Sequence, residues 1–338
     1  MLLGFDIGGT KCAVVIGNTT IDGGLDLIEK RSVPTDKPVY EMIDYLFSIA
    51  DELMQQHSVS PGNIDGIGIS CGGPLSSKKG LILSPPNLPG WDNVPIVKMT
   101  EERFHKKTIL QNDANACAVA EWKYGAGKGV NNLIFLTFGT GMGAGLILDG
   151  RLYSGISDLA GEVGHIRLSD NGPVGFGKAG SFEGYCSGGG IAQLGQIKAR
   201  EQLQMGNKVS FCKDIPDLVN ITAKSIAEAA VAGDAVAIEV YKICATYLGK
   251  GLALLIDILN PELIILGSIY ERTKSLIEPI MIETIQKEAF KDSVDACRIV
   301  PAGLSENIGD MAALSLALMS KEINLSTNNK ATHSNNLV

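Results

Sequence analysis

Hydrophobic positions along the chain change period several times, and each change predicts an element. Leu2–Phe5 and Cys12–Ile16 are apolar runs around the turn Asp6-Ile7-Gly8-Gly9-Thr10-Lys11, a strand–turn–strand pattern. From Val39 to Gln56, the residues Met42, Ile43, Leu46, Ile49, Ala50 and Leu53 recur at helical spacing and predict an amphipathic helix. Ile64 to Ser70 returns to alternation, with Ile67 and Ile69 on one face. Thr108–Gln111 reads as a short strand and Ala114–Trp122 as the helix that follows it. Leu133–Phe138 and Gly145–Asp149 predict a second strand pair around a glycine-rich turn. Residues 168–190 are dense in Gly, Ser and turn formers, and the chain beyond them turns helical. Ser225–Ala232 and Asp234–Leu259 predict helices, the second stopped by Asn260-Pro261, and Leu263–Leu266 is a short strand running into Gly267. A last helix is expected from about Asp310 to Met319, and residues 323–338, poor in apolar side chains, read as a disordered tail.

A length of 338 residues predicts two domains, and a 45% hydrophobic content is enough for sizeable cores. Glycine numbers 40, against about 24 at ordinary usage. With no collagen period, the excess belongs in tight turns and places of close backbone approach. The net charge of −8 and the lack of a basic block argue against nucleic-acid binding, which rests on neutralised phosphates. Single phosphate ligands stay open, because backbone amides and a metal can hold them. The seven cysteines (Cys12, Cys71, Cys117, Cys186, Cys212, Cys244 and Cys297) form no C-x-x-C pair. They suggest neither a disulfide framework nor a four-cysteine zinc site, and a reducing cytoplasm is the expected compartment. The start lacks a charged segment of signal-peptide type, and the apolar stretch Gly251–Leu259 is short and holds Asp257, so no membrane association is expected.

Several motifs could carry chemistry. In Asp6–Lys11, glycines allow close approach of the backbone to an anion, Thr10 and Lys11 add a hydroxyl and a cation, and Asp6 at a strand end could hold Mg²⁺ through water; a solvated hairpin with a satisfied Asp fits equally well. Gly139-Thr140-Gly141-Met142-Gly143-Ala144-Gly145 nearly matches the dinucleotide fingerprint, but a strand rather than a helix follows, so a phosphate-cradling hairpin fits better than a Rossmann turn. The strand–glycine turn–strand pattern thus occurs twice, although it is also the commonest form of hairpin. Gln111-Asn112-Asp113-Ala114-Asn115 sits where a strand meets a helix. Asp113 is there either a helix cap or a general base near a sugar hydroxyl, with Asn112 orienting the ring. Glu162 and His165, in Ala160–His165, can both bond sugar hydroxyls; a zinc reading would need thiols soon after, and residues 171–181 have none. The constrained loop Cys71-Gly72-Gly73-Pro74 to Ser84–Trp91 is either a rigid connection with Trp91 in the core or a pre-ordered ligand loop presenting Asn87. Gly267-Ser268 and the stretch Leu304–Asp310 place glycines at element ends, as nucleotide contacts do.

Together and in this order, these motifs resemble the ROK family of bacterial sugar kinases, over Leu2 to about Leu318. The pieces that carry the resemblance are Asp6–Lys11, Pro86–Trp91, Asn112–Asn115, Gly139–Gly145 and Glu162–His165. It implies an α/β, two-lobed, actin-like ATPase (ribonuclease H-like) fold with a central cleft. One lobe would span residues 1–111, completed by a C-terminal helix at about 308–322, and the larger one residues 112–307. It implies a first phosphate loop of Asp6, Gly8, Gly9, Thr10 and Lys11, and a second of Gly139, Thr140, Gly141 and Gly143. Asp113 would be the catalytic base, Asn87, Asn112, Glu162, His165 and Glu183 sugar ligands, and Gly267 and Ser268 nucleotide contacts. The implied activity is ATP- and Mg²⁺-dependent phosphorylation of a hexose or N-acetylhexosamine, most simply at O6 as in a glucokinase, by a homodimer.

Two departures from the family pattern stand out. The family's zinc cysteines fall here at Val174, Phe176 and Ser181, so no zinc is expected, and metal analysis finding one zinc per protomer would overturn that. His165 must then be oriented by another partner. The family's glycine run becomes Gly267-Ser268-Ile269. The family's repressors carry an N-terminal DNA-binding segment; with the first hairpin beginning at Leu2, none is expected. A non-catalytic sugar sensor and a nucleotide-binding structural protein of the actin class are the rival readings.

Overall fold

A computed structural model of the chain describes the backbone of residues 1–334 and the side chains of residues 1–322. The tail expected to be disordered, 323–338, instead continues the last helix in its backbone as far as Ser334, because nothing in its sequence breaks the helix there; its side chains and its last four residues lie outside the description. Contacts divide the chain into two compact units: residues 1–129 with 152–160 and 303–338, and residues 130–151 with 161–302. The lobe boundary expected after residue 111 therefore lies inside the first unit. The helix that follows it packs on the chain's last helix, which keeps the two in one body.

The first unit opens with β1 (Leu2–Ile7), β2 (Lys11–Thr19) and β3 (Leu25–Pro34), an antiparallel set. After α1 (Val39–Gln56) come β4 (Gly66–Cys71), the short pair β5 (Leu75–Ser76) and β6 (Leu81–Ile82), α2 (Ile96–Phe104), β7 (Thr108–Asn112) and α3 (Asp113–Tyr124). The sheet order is β3-β2-β1-β4-β7, with β4 and β7 parallel to β1. Register pairs Ile7 with Cys71 and Cys71 with Asn112. The carboxyl ends of all three parallel strands thus finish on one edge, the usual place for ligands in α/β sheets.

In the second unit, β8 (Leu133–Phe138) and β9 (Met142–Leu148) form a hairpin flanked by β10 (Arg151–Leu152). A small hairpin, β11 (Val174–Gly175) and β12 (Lys178–Ala179), precedes α4 (Phe182–Tyr185), α5 (Gly188–Gln204), α6 (Ala223–Val231) and α7 (Ala235–Leu259). β13 (Leu263–Leu266), α8 (Ile269–Glu288), α9 (Lys291–Ala296) and β14 (Arg298–Pro301) complete it, in sheet order β10-β9-β8-β13-β14. The chain then returns to the first unit as α10 (Ile308–Ser334). Both sheets have the same plan, an antiparallel hairpin followed by parallel strands. The repeated pattern in the sequence is therefore a repeated topology.

In the first unit, Leu3, Phe5 and Ile7 of β1 pack with Met42, Leu46 and Phe104 on one face of the sheet. The other face is covered by Ala313, Leu314 and Ala317 of α10. That helix can lie so close because Gly66 and Gly68 face it: a Cβ on either would stand 2.2 Å from a carbonyl oxygen of α10. Here the surplus glycine of the composition has a structural use.

Candidate active site

In the first unit the turn between β1 and β2 is held from within and from the side. The Gly8 N–H donates to the Lys11 carbonyl at 3.2 Å, the Thr35 hydroxyl to the Gly8 carbonyl at 2.7 Å, and the Thr35 N–H to the Thr10 carbonyl at 3.1 Å. Gly9, Thr10 and Lys11 are exposed. A side chain at Gly9 would place its Cβ 2.3 Å from the Asn87 carbonyl oxygen, so glycine is what allows the turn to lie against Asn87. Asn87 itself is exposed, whereas Trp91 in the same loop is core.

Asp6 is partly buried at the end of β1. Burial, reinforced by the Asp113 and Asp310 carboxylates, raises its pKa to about 6, against the pull of Lys30 and Lys11. The start of α10 presses on this carboxylate: a Cβ at Gly309 would lie 2.9 Å from Asp6 Oδ2. Asp310, within the stretch Leu304–Asp310, is buried; its Oδ2 takes a 2.7 Å bond from Lys30 Nζ, and its Oδ1 has no hydrogen-bond partner among the described residues. Asp6, Asp113 and Asp310 are hard oxygen donors whose like charges are crowded together, an arrangement a divalent cation such as Mg²⁺ would relieve. Among the described residues, no His, Cys, Asp or Glu group has chelating geometry. Asp6 therefore suits a hydrated ion held by charge better than a protein cage.

Asp113 is the first residue of α3. The helix cap is Asn112 rather than Asp113: Asn112 Oδ1 accepts the Ala114 N–H at 2.9 Å. Asp113 Oδ1 shares that donor at 2.8 Å. The capping alternative weighed for Asp113 thus passes to its neighbour, whose extended backbone (φ −60°, ψ 145°) meets the requirement for a cap. The Asp113 side chain is open to solvent by area, yet protein surrounds it closely; this desolvation pushes its carboxyl above the usual range, and only backbone N–H groups oppose it. Asn112 lies level with Cys71 and Ile7 across the sheet, so strand register brings Asp6, Asn112 and Asp113 to one edge.

The second unit builds its part on the β8–β9 hairpin. Thr137 Oγ1 accepts the Gly143 N–H at 2.9 Å, and Gly139 N–H donates to the Gly141 carbonyl at 3.2 Å. Glu183 Oε2 takes the Met142 N–H at 3.0 Å, and a Cβ at Gly141 would stand 2.9 Å from the same oxygen. Glu183, expected as a sugar ligand, braces the β8–β9 turn in this structure. The turn bearing Glu162 and His165 rides on β9 through Gly161. There φ is +95°, and a Cβ would stand 1.9 Å from the Ala144 carbonyl oxygen, so no other residue fits. Glu162 is exposed and His165 half-buried.

A cavity of about 1030 Å³ opens beside that hairpin within the second unit. Gly139, Thr140, Gly188, Gly189 and Ser268 form its polar end; Ala192, Ile221, Ala227 and Tyr241 supply apolar walls; Lys224 and Arg272 supply cations. A base on the apolar wall and phosphates on exposed amides would suit such a lining. Ser187 Oγ caps α5 by accepting the Gly190 N–H at 3.0 Å, and the Gly188 N–H donates to the Gly139 carbonyl at 2.7 Å, which ties the helix start to the hairpin. Sequence reasoning found Gly139, Thr140 and Ser268 of this cavity and missed the rest; the run Ser187-Gly188-Gly189-Gly190 was the available signal. Ser268 occupies φ 50°, ψ −93°, a region that favours glycine, where the family pattern has a glycine run. A second cavity, about 650 Å³, lies in the first unit among Lys78, Lys79, Lys98, Glu101 and His105 and touches none of these motifs.

The ROK family model matches residues 2–320. The chain belongs to the ROK family. A glucokinase of Halalkalibacterium halodurans is 32% identical over 82% of this chain and 83% of that protein. A xylose repressor of Caldicellulosiruptor bescii is 28% identical over 86% of this chain and 71% of the repressor. Among solved structures, a ROK family glucokinase from Streptomyces griseus in complex with glucose and AMPPNP superposes with a TM-score of 0.73 at 27% identity, over 94% of this chain and 99% of that one. The fold is the actin-like ATPase fold of these ROK kinases. The family thus contains both kinases and repressors among this chain's relatives. Among the described residues no helix is long and apolar enough to cross a membrane.

Proposed function

We propose that this ROK protein is an ATP-dependent sugar kinase, transferring the γ-phosphoryl group to a hexose or N-acetylhexosamine, with O6 of glucose the first candidate acceptor. The observation that carries the reading is Asp113: a carboxylate at the mouth of α3, beside a capping Asn112, with its pKa pushed up toward the range in which a carboxylate serves as general base. Asp113 accepts the proton of the attacking hydroxyl as the phosphoryl group arrives, and Asn112, Asn87, Glu162, His165 and Glu183 orient the sugar. Amides of the β1–β2 and β8–β9 turns, with Thr10, Lys11 and Thr140, hold the phosphates, and the second unit's cavity takes the base and ribose. Mg²⁺, near Asp6, would supply charge neutralisation on the phosphates. A cytoplasmic homodimer belongs to the same proposal.

Coupled ADP release with Mg-ATP across hexoses, N-acetylhexosamines and a sugar-free blank tests it. Sugar-dependent ADP release supports the kinase and names its substrate. The repressor relatives favour one rival, a sugar sensor without turnover. Silence across the panel, with sugars still raising the melting temperature, would select that rival.

A further inference from the structure

Phe176 is an unusual residue for its place. It and Gly177 form the two-residue turn between β11 and β12, in which Gly175 pairs with Lys178. Both turn residues have positive φ, 45° at Phe176 and 74° at Gly177. Such turns favour Asn-Gly or Gly-Gly, and a bulky aromatic in the left-handed region is strained. Its side chain is 64% exposed, so core packing does not account for the choice. What it does touch is His165: the ring centroids are 5.0 Å apart at 78°, an edge-to-face contact.

The hairpin that carries Phe176 is firmly anchored. Gln193 clamps its first strand, donating from Nε2 to the Val174 carbonyl at 2.8 Å and accepting the Val174 N–H at 3.0 Å. Gly175 is pressed against the helix that bears Glu183, since a Cβ there would lie 2.6 Å from the Gly184 nitrogen. From the second strand, Lys178 Nζ donates to the His165 carbonyl at 2.7 Å. The arm therefore holds His165 twice, by its backbone through Lys178 and by its ring through Phe176. Strain tolerated on a fixed support beside a functional side chain points to a role at that side chain.

We infer that the Val174–Ala179 hairpin is a metal-free positioning arm, with Phe176 the positioning residue that sets the His165 imidazole for the sugar. The inference rests on the sugar-kinase reading for what His165 contacts, and its test separates the two. Phe176→Asn relieves the strain while deleting the ring contact. The variant should keep or raise its melting temperature, and its KM for sugar should rise roughly 2- to 10-fold, the range of an aromatic contact converted to affinity. The KM for ATP should not change, and Phe176→Tyr should restore the sugar KM. The His165 χ1 angle, read from three-bond couplings with signals assigned by their loss in His165→Asn, should lose its single value in Phe176→Asn and regain it in Phe176→Tyr; chemical shifts alone would follow the lost ring current. An unchanged sugar KM, or parallel rises for sugar and ATP with a lowered melting temperature, overturns the positioning role. If the wild-type chain turns over no sugar, the kinase reading falls instead. The coupling comparison still decides the arm: a released His165 χ1 in Phe176→Asn supports it, and an unchanged χ1 overturns it.

Discussion

At the scale of single residues the site is a problem of crowded carboxylates. Asp6 and Asp113 both sit above the ordinary aspartate range, chiefly because burial disfavours their charged forms. If Asp113 is the base proposed above, this moves it toward neutral pH, where its basicity and its ionised fraction are best matched. kcat/KM should fall on the acid side at a pH above the limb near pH 4 that an unperturbed aspartate would give, because burial raises Asp113. A pH profile with no loss of activity down to about pH 5 would contradict this assignment. Asp113→Asn should lower kcat roughly 10²- to 10⁴-fold while sugar still binds, checked by turnover and calorimetry together.

The same shift has a stability consequence. Asp6 holds its proton more tightly in the folded chain than in the unfolded one, so its contribution to stability is present below pH 3.8 and lost as pH rises through about 6. At pH 7, without metal, the ionised carboxylate is a liability. Asp6→Asn should therefore stabilise the apoprotein by roughly 1–3 kcal/mol, read by denaturant unfolding, while reducing activity. A destabilised Asp6→Asn would show that the carboxylate is held by favourable contacts rather than by constraint.

At the scale of elements, legibility in the sequence followed the physics of burial. The α1 stripe from Met42 to Leu53 has one buried face, and periodicity located that helix to the residue. β13 was equally clear, because Leu263–Leu266 is buried on both faces. The edge strand β3 was missed: all its positions but Val33 are half-buried or exposed, and the alternation is correspondingly weak. α5 was read only as a helical continuation after residue 190, without bounds, because it begins in glycine and only its Ser187 cap marks the start. α8 contains Pro279 and a weak apolar stripe. In the site, the glycine turns and the Asn112-Asp113 pair could be read from local sequence. Asp310, Lys224 and Arg272 could not, because tertiary folding alone brings them to the motifs.

Glu121 is the element-scale case in which a single buried side chain joins distant chain segments. It is fully buried in α3, and its carboxylate accepts N–H bonds from Ala126 at 2.8 Å, Gly303 at 3.1 Å and Leu304 at 2.8 Å. The return of the chain into the first unit is thus pinned to the helix that starts with Asp113. Glu121→Gln replaces an acceptor oxygen by a donor facing donors and should destabilise by about 2–4 kcal/mol. Chemical denaturation checks the size. An unchanged midpoint would mean that the α10 packing alone fixes this return.

At the scale of the whole molecule, each unit offers one kind of surface. The first ends its parallel strands in Asp6, Asn112 and Asp113, and the second joins a phosphate-type hairpin to a nucleotide-sized cavity. A protein of the actin-like fold with only a structural task would need the nucleotide side and have no use for Asn87, Glu162 or His165. Ligands that bind only the folded chain raise its apparent stability by RT ln(1 + [L]/Kd), about 2.7 kcal/mol at a hundredfold excess over Kd. A non-hydrolysable ATP analogue and the preferred sugar should therefore each raise the melting temperature alone. In Asp113→Asn both shifts should persist while turnover is lost. Stabilisation by nucleotide with none by any sugar would assign the chain to the structural class. Stabilisation by sugar alone would point to a sensor, and the cavity beside Gly139 and Thr140 would then need an occupant other than a nucleotide.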